Sequence, residues 1–266
     1  MIKKFFSRGY IFLVLAFIYI PIFILIMYSF NSGKQIGVWE AFSLKWYSML
    51  GEIKDVVVNT IVLAVVSAII ATVLGTLGAI GVFYSKGKTG KMVKGMSQIP
   101  VVNSEVVTAC ALVMLFMLLN IDHRSILGLY IGHIVLSAPF VVLSVTPKLK
   151  QMDSSLYEAA LDLGATPLQA LFKVILPEIL PGIFTGFMLA ITLSLDDYII
   201  TATLAPLGYD TISTAVYKAI ALTTEKASEK IPVYRALTTI IFLVTVTVVI
   251  VINIKASRKK KEVKLK

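Results

Sequence analysis

Six stretches of this chain, each about twenty residues or longer, carry almost no charged side chain. They run approximately from Tyr10 to Phe30, Val56 to Phe83, Ser97 to Asn120, Ser125 to Val145, Ile179 to Ala205 and Val233 to Ile254. A helix rises about 1.5 Å per residue, so about 20 mostly apolar residues cross a hydrocarbon core of roughly 30 Å. None of the runs alternates as a barrel strand does, and lipid tolerates no unpaired sheet edge. The expectation is an all-α membrane protein with six transmembrane helices in a single domain spanning 1–266. Composition agrees: 58% of residues are hydrophobic and only 15% charged, against about 25% charged in soluble domains. That balance excludes a soluble enzyme, a disordered tail and a disulfide scaffold. A lone Cys110 removes any intramolecular disulfide or cysteine metal site.

The first run follows Lys3, Lys4 and Arg8 and is too long for a cleaved signal core. No small-x-small cleavage pattern precedes Asn31, so it is expected to be retained as an anchor. The net charge of +10 suggests nucleic acid only until the cations are placed. Most of the 25 Lys and Arg residues fall at the N-terminus, at Lys86, Lys88, Lys91 and Lys94, at Lys148, Lys150 and Lys173, and in the tail from Lys255 to Lys266. Cytoplasmic loops carry such an excess, which puts both termini in the cytoplasm. The basic character is then topology and lipid-headgroup attraction, with no nucleic acid implied.

Several motifs fail on inspection. Gly87-Lys88-Thr89 ends like a phosphate loop, but the glycine that motif needs five places earlier is Val82. His123 and His133 lack ligand-spaced carboxylates or cysteines and read as capping or packing residues, so no metal site is expected. Ser67, Ala71, Gly75 and Ala79 follow at i, i+4 steps and predict a close helix-packing seam.

The segment between the fourth and fifth runs, 146–178, is built differently. Ser154 to Leu163 carries serine caps, an early Glu158 and strong helix formers. Gly164 can end that helix with a positive φ. Thr166 then offers a new cap with Pro167 at the first helical position, and Leu168 to Ile175 can form a second helix before Pro177 and Pro181 mark the return to the bilayer. Leu156, Leu163, Leu168, Leu171 and Phe172 would be presented outside the membrane and call for a partner.

The spaced pattern Glu158-Ala159-Ala160-x3-Gly164-x9-Val174-x-Leu176-Pro177 resembles the EAA loop of permease subunits in binding-protein-dependent ABC importers, with valine for isoleucine at 174. The resemblance covers essentially the whole chain. It implies the type I permease fold of those importers, with a cytoplasmic coupling helix docked on a separate ATPase dimer through Glu158, Ala159, Ala160, Gly164, Leu176 and Pro177. It also implies a homologous second permease subunit, an extracytoplasmic substrate-binding protein and a bacterial cytoplasmic membrane. No catalytic residue and no cofactor is expected in this chain; ATP and Mg would sit on the partner ATPase.

Glu105, Asp196 and Asp197 are carboxylates within the apolar runs, where charge is costly unless it faces a bundle interior, a partner or a water-filled path. Thr185, Thr192, Asp196 and Thr203 are spaced to share one face of a continuous fifth helix. Asp197 is rotated about 100° from Asp196. Glu105 reads equally as a helix-start carboxylate or a substrate contact. The runs 100–107 and 194–201 look like the subfamily of permeases that serves spermidine and putrescine, with Asn103 where many relatives have proline. That resemblance makes Asp196, Asp197, Glu105, Thr192 and Tyr198 candidates for a polyamine path. Other cationic substrates, such as ferric iron, share parts of the pattern. The segment 211–231 suggests an outer amphipathic helix, either interfacial or receiving a binding protein. The competing class is an ion-coupled carrier or channel acting alone. No broken helix pair or inverted repeat is legible to support it.

Overall fold

The computed structural model describes residues 2–35, 37–85, 92, 95, 103–153, 155–221 and 229–264. Outside them lie Lys86, Lys88, Lys91, Lys94, the Gly87-Lys88-Thr89 motif, the start of the third run from Ser97 to Val102, Ser154, Leu222 and Lys226. Among the described residues the main helices are α1 Ile2–Ser29, α2 Lys54–Tyr84, entered through a short helix Lys45–Ser48 and a 3-10 turn Met49–Ile53, α3 Glu105–Leu118, α4 Ile126–Gln151, α5 Ser155–Asp162, α6 Pro167–Ala170, α7 Leu176–Asp196, α8 Ile199–Leu204, α9 Ile212–Ala221 and α10 Ile231–Lys264. Four of the helical stretches are long and apolar enough to cross a membrane, namely Gly9–Ser29, Lys45–Tyr84, Ile126–Gln151 and Pro167–Asp196. Glu105–Leu118 and Ile231–Thr247 are shorter apolar helices.

The chain divides into two compact units, Met1–Lys54 with Val216–Lys266, and Asp55–Ala215. In the first, α1 packs against α10 and turns its apolar side chains outward, Phe12 and Phe17 being 74% and 78% exposed. The turn after it is organised by Asn31. Its amide donates to the Val38 carbonyl at 2.7 Å, and its Oδ1 accepts the Glu40 N–H at 2.9 Å. Trp46 Nε1 donates to the Asn31 carbonyl at 2.8 Å, and Arg235 Nη2 to that of Lys34 at 2.9 Å.

The second unit is built on the contact of α4 with α7. Ala68 and Ala79 of α2, Val141, Val145 and Leu149 of α4, and Ile175, Ile179 and Ala190 on the elbow and α7 form one buried cluster. Ser67, Ala71, Gly75 and Ala79 are all buried, so the small-residue face of α2 is a seam against which α4 closes. A second cluster joins Ala109, Leu112 and Phe116 of α3, Leu136 of α4, and Ile200 and Leu204 of α8. Some hydroxyls in these helices bond locally: Ser144, Thr146 and Thr192 each donate to the carbonyl four residues back.

Besides α1 and α10, which run past the apolar stretches at Tyr10 and Ile254, three boundaries of the second unit depart from the sequence reading. First, α4 continues through Thr146 to Gln151, because apolar spacing persists past Pro147 and the helix ends only at Met152 with extended backbone. Second, the elbow's second limb does not stop before the membrane helix. A π turn, Leu171–Ile175, joins α6 to α7, and the whole of Pro167–Asp196 is 30 helical residues. Pro177, lacking an N–H, sits just beyond this turn, where a wider ring disturbs the ladder least. Third, the fifth run is not one helix to Ala205. It breaks at Asp197, whose ψ of 129° is extended, and restarts as α8.

Candidate functional site

The elbow follows its local chemistry. Asp153 accepts the Ser155 N–H at 3.0 Å, which holds its carboxyl below the usual aspartate range and starts α5. The stop is a Schellman pair: Ala165 N–H bonds the Ala160 carbonyl at 3.0 Å and Gly164 N–H bonds the Leu161 carbonyl at 2.9 Å, with Gly164 at φ +83°. Thr166 and Gln169 form a capping box, Gln169 N–H to Thr166 Oγ1 at 3.3 Å and Thr166 N–H to Gln169 Oε1 at 3.0 Å.

This elbow is seated on one side only. Tyr157, Leu171 and Leu176 pack on the first buried cluster, and the Tyr157 ring lies 5.6 Å from that of Tyr84. No residue of α5 is buried. Glu158 and Ala159 are exposed, Ala160 half-buried, and Pro177 exposed. Leu163 is 89% exposed and Leu168 67%.

At the far end of the same run of 30 helical residues from Pro167 stands Asp196, exposed at the end of α7, with Thr192 exposed one turn before it. Glu105 is half-buried in the first turn of α3, where Ser104 supplies the cap, its Oγ accepting the Val107 N–H at 3.4 Å. Asp196 and Asp197 both lie close enough to Glu105 for their charges to act on it. Tyr198 is half-buried between α7 and α8. Because of the break, Thr203 belongs to α8 and does not continue the stripe of Thr185, Thr192 and Asp196.

Asp197 is buried, at 3% exposure, and its carboxylate is fully engaged. It accepts the N–H groups of Ile200 at 3.1 Å and Thr201 at 2.9 Å, and the Thr201 hydroxyl at 2.9 Å. An aspartate is well suited to supply acceptors for the first turn of a helix. Beyond it stands His133 of α4, fully buried, which the sequence reading left without a carboxylate. Its Nε2 lies 3.0 Å from Thr201 Oγ1 and 3.5 Å from Asp197 Oδ2. Its Nδ1 lies 2.7 Å from Ser194 Oγ on α7, and Ser194 in turn meets Ser67 of α2 at 3.2 Å. Sequence spacing carries no signal for this constellation, whose members lie 61 and 68 positions apart. Among the described residues no group of His, Cys, Asp and Glu side chains is arranged to hold a metal ion.

Comparison with known proteins gives a consistent set of relatives. The family described as "Binding-protein-dependent transport system inner membrane component" matches residues 71–261. The spermidine/putrescine transport system permease protein PotC of Escherichia coli strain K12 is 33% identical over 249 residues, 92% of each chain. The putrescine transport system permease protein PotI of the same strain is 32% identical over 235 residues, 85% of this chain and 82% of that one. In fold, the chain is similar to one from a bacterial ABC transporter involved in the import of the acidic polysaccharide alginate, with TM-score 0.72 at 19% identity, covering 94% of this chain and 92% of that one. A chain of the MetNI methionine ABC transporter in an inward-facing conformation matches with TM-score 0.59 at 17% identity, over 80% and 95%.

Proposed function

We propose that this chain, which belongs to the family of binding-protein-dependent transport system inner membrane components, is the permease through which an ATP-driven importer carries polyamines such as spermidine and putrescine. It is an ABC importer permease of the type I fold and a multi-pass protein of the cytoplasmic membrane. The remaining parts of the reading are our own. One permease domain crosses the membrane six times with both termini inside, and pairs with a homologous permease. A dimer of a separate ATPase subunit grips α5 and an extracytoplasmic binding protein delivers the substrate.

The observation that carries this reading is the helix Pro167–Asp196. One end is the exposed elbow around Glu158 and Gly164; the other is Asp196, beside Asp197 and within electrostatic reach of Glu105. Thirty residues at about 1.5 Å each give a rod of roughly 45 Å. Closure of the ATPase dimer on ATP binding would carry α5 with it, and the helical run from Pro167, unbroken through its π turn, connects that displacement to the carboxylates. The carboxylates suit the cargo, since each ammonium group loses its water on entering a passage and needs an opposite charge there. The names of the relatives PotC and PotI support the same substrate class.

The test is ATP hydrolysis by the complete complex reconstituted in proteoliposomes with its binding protein. Spermidine or putrescine should stimulate it and be taken up. Stimulation by ferric iron and by neither polyamine overturns the substrate, while uptake by this chain alone in ATP-free vesicles overturns the importer mechanism in favour of an ion-coupled carrier.

A further inference from the structure

We propose that His133 is a positioning residue: it staples the break between α7 and α8 and so fixes the direction in which Asp196 presents its carboxylate to the polyamine path. The inference rests on the reading of Asp196 as a path residue.

The break has no glycine or proline to impose it. Ending α7 at Asp196 strips carbonyls of their partners, and starting α8 at Ile199 leaves N–H groups without theirs. Asp197 answers for Ile200 and Thr201 with its carboxylate and donates its own N–H to the Leu193 carbonyl of α7 at 3.1 Å, a cap that spans only the connecting residue. Beyond that local cap, a side chain from a third helix links α8 to α7. One nitrogen of the His133 ring meets Ser194, before the break, and the other meets Thr201, after it. The ring is rigid, so the two bonds set a fixed offset between the helix ends.

Donor counting makes the arrangement directional. The Asp197 carboxylate already accepts two backbone N–H groups, and the Thr201 hydroxyl donates to it as well. The Thr201 oxygen is then free to accept from His133 Nε2–H, and a neutral ring leaves Nδ1 to accept the Ser194 hydroxyl. Each donor in the chain Ser194, His133, Thr201, Asp197 is used once. No amide side chain can reproduce both arms. Asn reaches the place of Nδ1 and Gln that of Nε2.

Gly132 reinforces the point. A methyl there would lie 2.6 Å from both Ile200 Cγ2 and Leu204 Cδ1, so α4 offers bare backbone to seat α8 immediately beside the bridging imidazole. Only Asp197 and Tyr198 separate the two helices. A change in the angle between them is therefore taken up at the end of α7, where Asp196 stands.

The experiment uses the assembled complex with its ATPase and binding protein, carrying His133→Ala, Asp196→Asn or both. His133→Ala should raise the KM for spermidine uptake tenfold or more and leave ATP hydrolysis without substrate within twofold of wild type. The double variant should be no worse than the more impaired single one. Gly132→Ala, which displaces α8 and removes no hydrogen-bonding group, should raise KM likewise. Spin labels on α7 at position 180 and α8 at position 202, with Cys110 replaced by serine, should give a narrow distance distribution that broadens in His133→Ala. A distribution that stays narrow overturns the staple. Broadening with multiplicative losses in the double variant overturns its action through Asp196. Broadening with an Asp196→Asn complex of wild-type KM overturns the path reading of Asp196 and leaves the staple standing. If His133→Ala does not assemble, His133→Asn and His133→Gln each keep one arm, and a wild-type KM in both overturns the proposal.

Discussion

Val141 occupies the space that a side chain at Gly75 would need. A methyl at position 75 would fall 2.6 Å from Val141 Cβ and 2.8 Å from the Ala138 carbonyl oxygen, both on α4. The contact includes backbone, so relief requires the two helices to separate. Overpacking of this kind costs on the order of 1–3 kcal/mol. Gly75→Ala is expected to lower the melting temperature of the detergent-solubilised complex by several degrees. Gly78→Ala is the control: its methyl would meet only Val142 Cγ2, at an ordinary 3.7 Å, and should melt close to wild type.

Gly164 ends α5 at φ +83° with nothing near its missing Cβ, so any cost of substitution there is conformational and not steric. An alanine forced into this region costs about 1–2 kcal/mol. Asparagine tolerates it better. The expected order of damage is Val worst, then Ala, then Asn, read as amide hydrogen exchange across 155–162 and as uptake driven by ATP. An equal effect of all three would show that the turn does not need a left-handed residue.

Glu158 is exposed on α5 and its side chain makes none of the buried contacts that seat the elbow, which run through Tyr157 and Leu171. Glu158→Lys should therefore leave the chain folded and inserted. Reversing the charge at the proposed ATPase contact is expected to cut uptake tenfold or more while ATP hydrolysis by the complex no longer responds to substrate. Wild-type transport by an assembled Glu158→Lys complex would remove Glu158 from the coupling contact.

The elbow was legible because its signals act over three or four residues. Thr166 and Pro167 start one helix, Gly164 ends the other, and each does so with backbone groups next to it. The packing seam of α2 was legible for a similar reason, since small residues at i, i+4 share a face whatever stands opposite. The break at Asp197 was not. Apolar length alone carries a span through to Ala205, and an aspartate that starts a helix looks the same in sequence as one that lines a path. His133 was unreadable for the opposite reason: its partners lie 61 and 68 positions away, and only the closure of α4 on α7 and α8 brings them to it. Helix ends were misjudged where the apolar pattern outlasts the membrane, as in α4 to Gln151 and in the π turn that runs α6 into α7.

Asp196 and Asp197 are adjacent in sequence and differently placed, which separates their expected mutants. Asp197 is 3% exposed and supplies acceptors for two N–H groups and a hydroxyl, so Asp197→Ala leaves those donors without a partner in an apolar setting. Each unsatisfied buried group costs about 1–3 kcal/mol, and the expected result is poor assembly. Asp196 is exposed at the end of α7, and its removal leaves the buried network intact. Asp196→Asn should assemble to wild-type levels and raise the KM for spermidine, with a smaller rise for putrescine, because a cargo with more ammonium groups loses more from one missing charge. Competition uptake in proteoliposomes, normalised to assembled complex, measures both. Equal assembly of the two variants would contradict the division of labour between these carboxylates, and a wild-type KM in Asp196→Asn would take Asp196 out of the path.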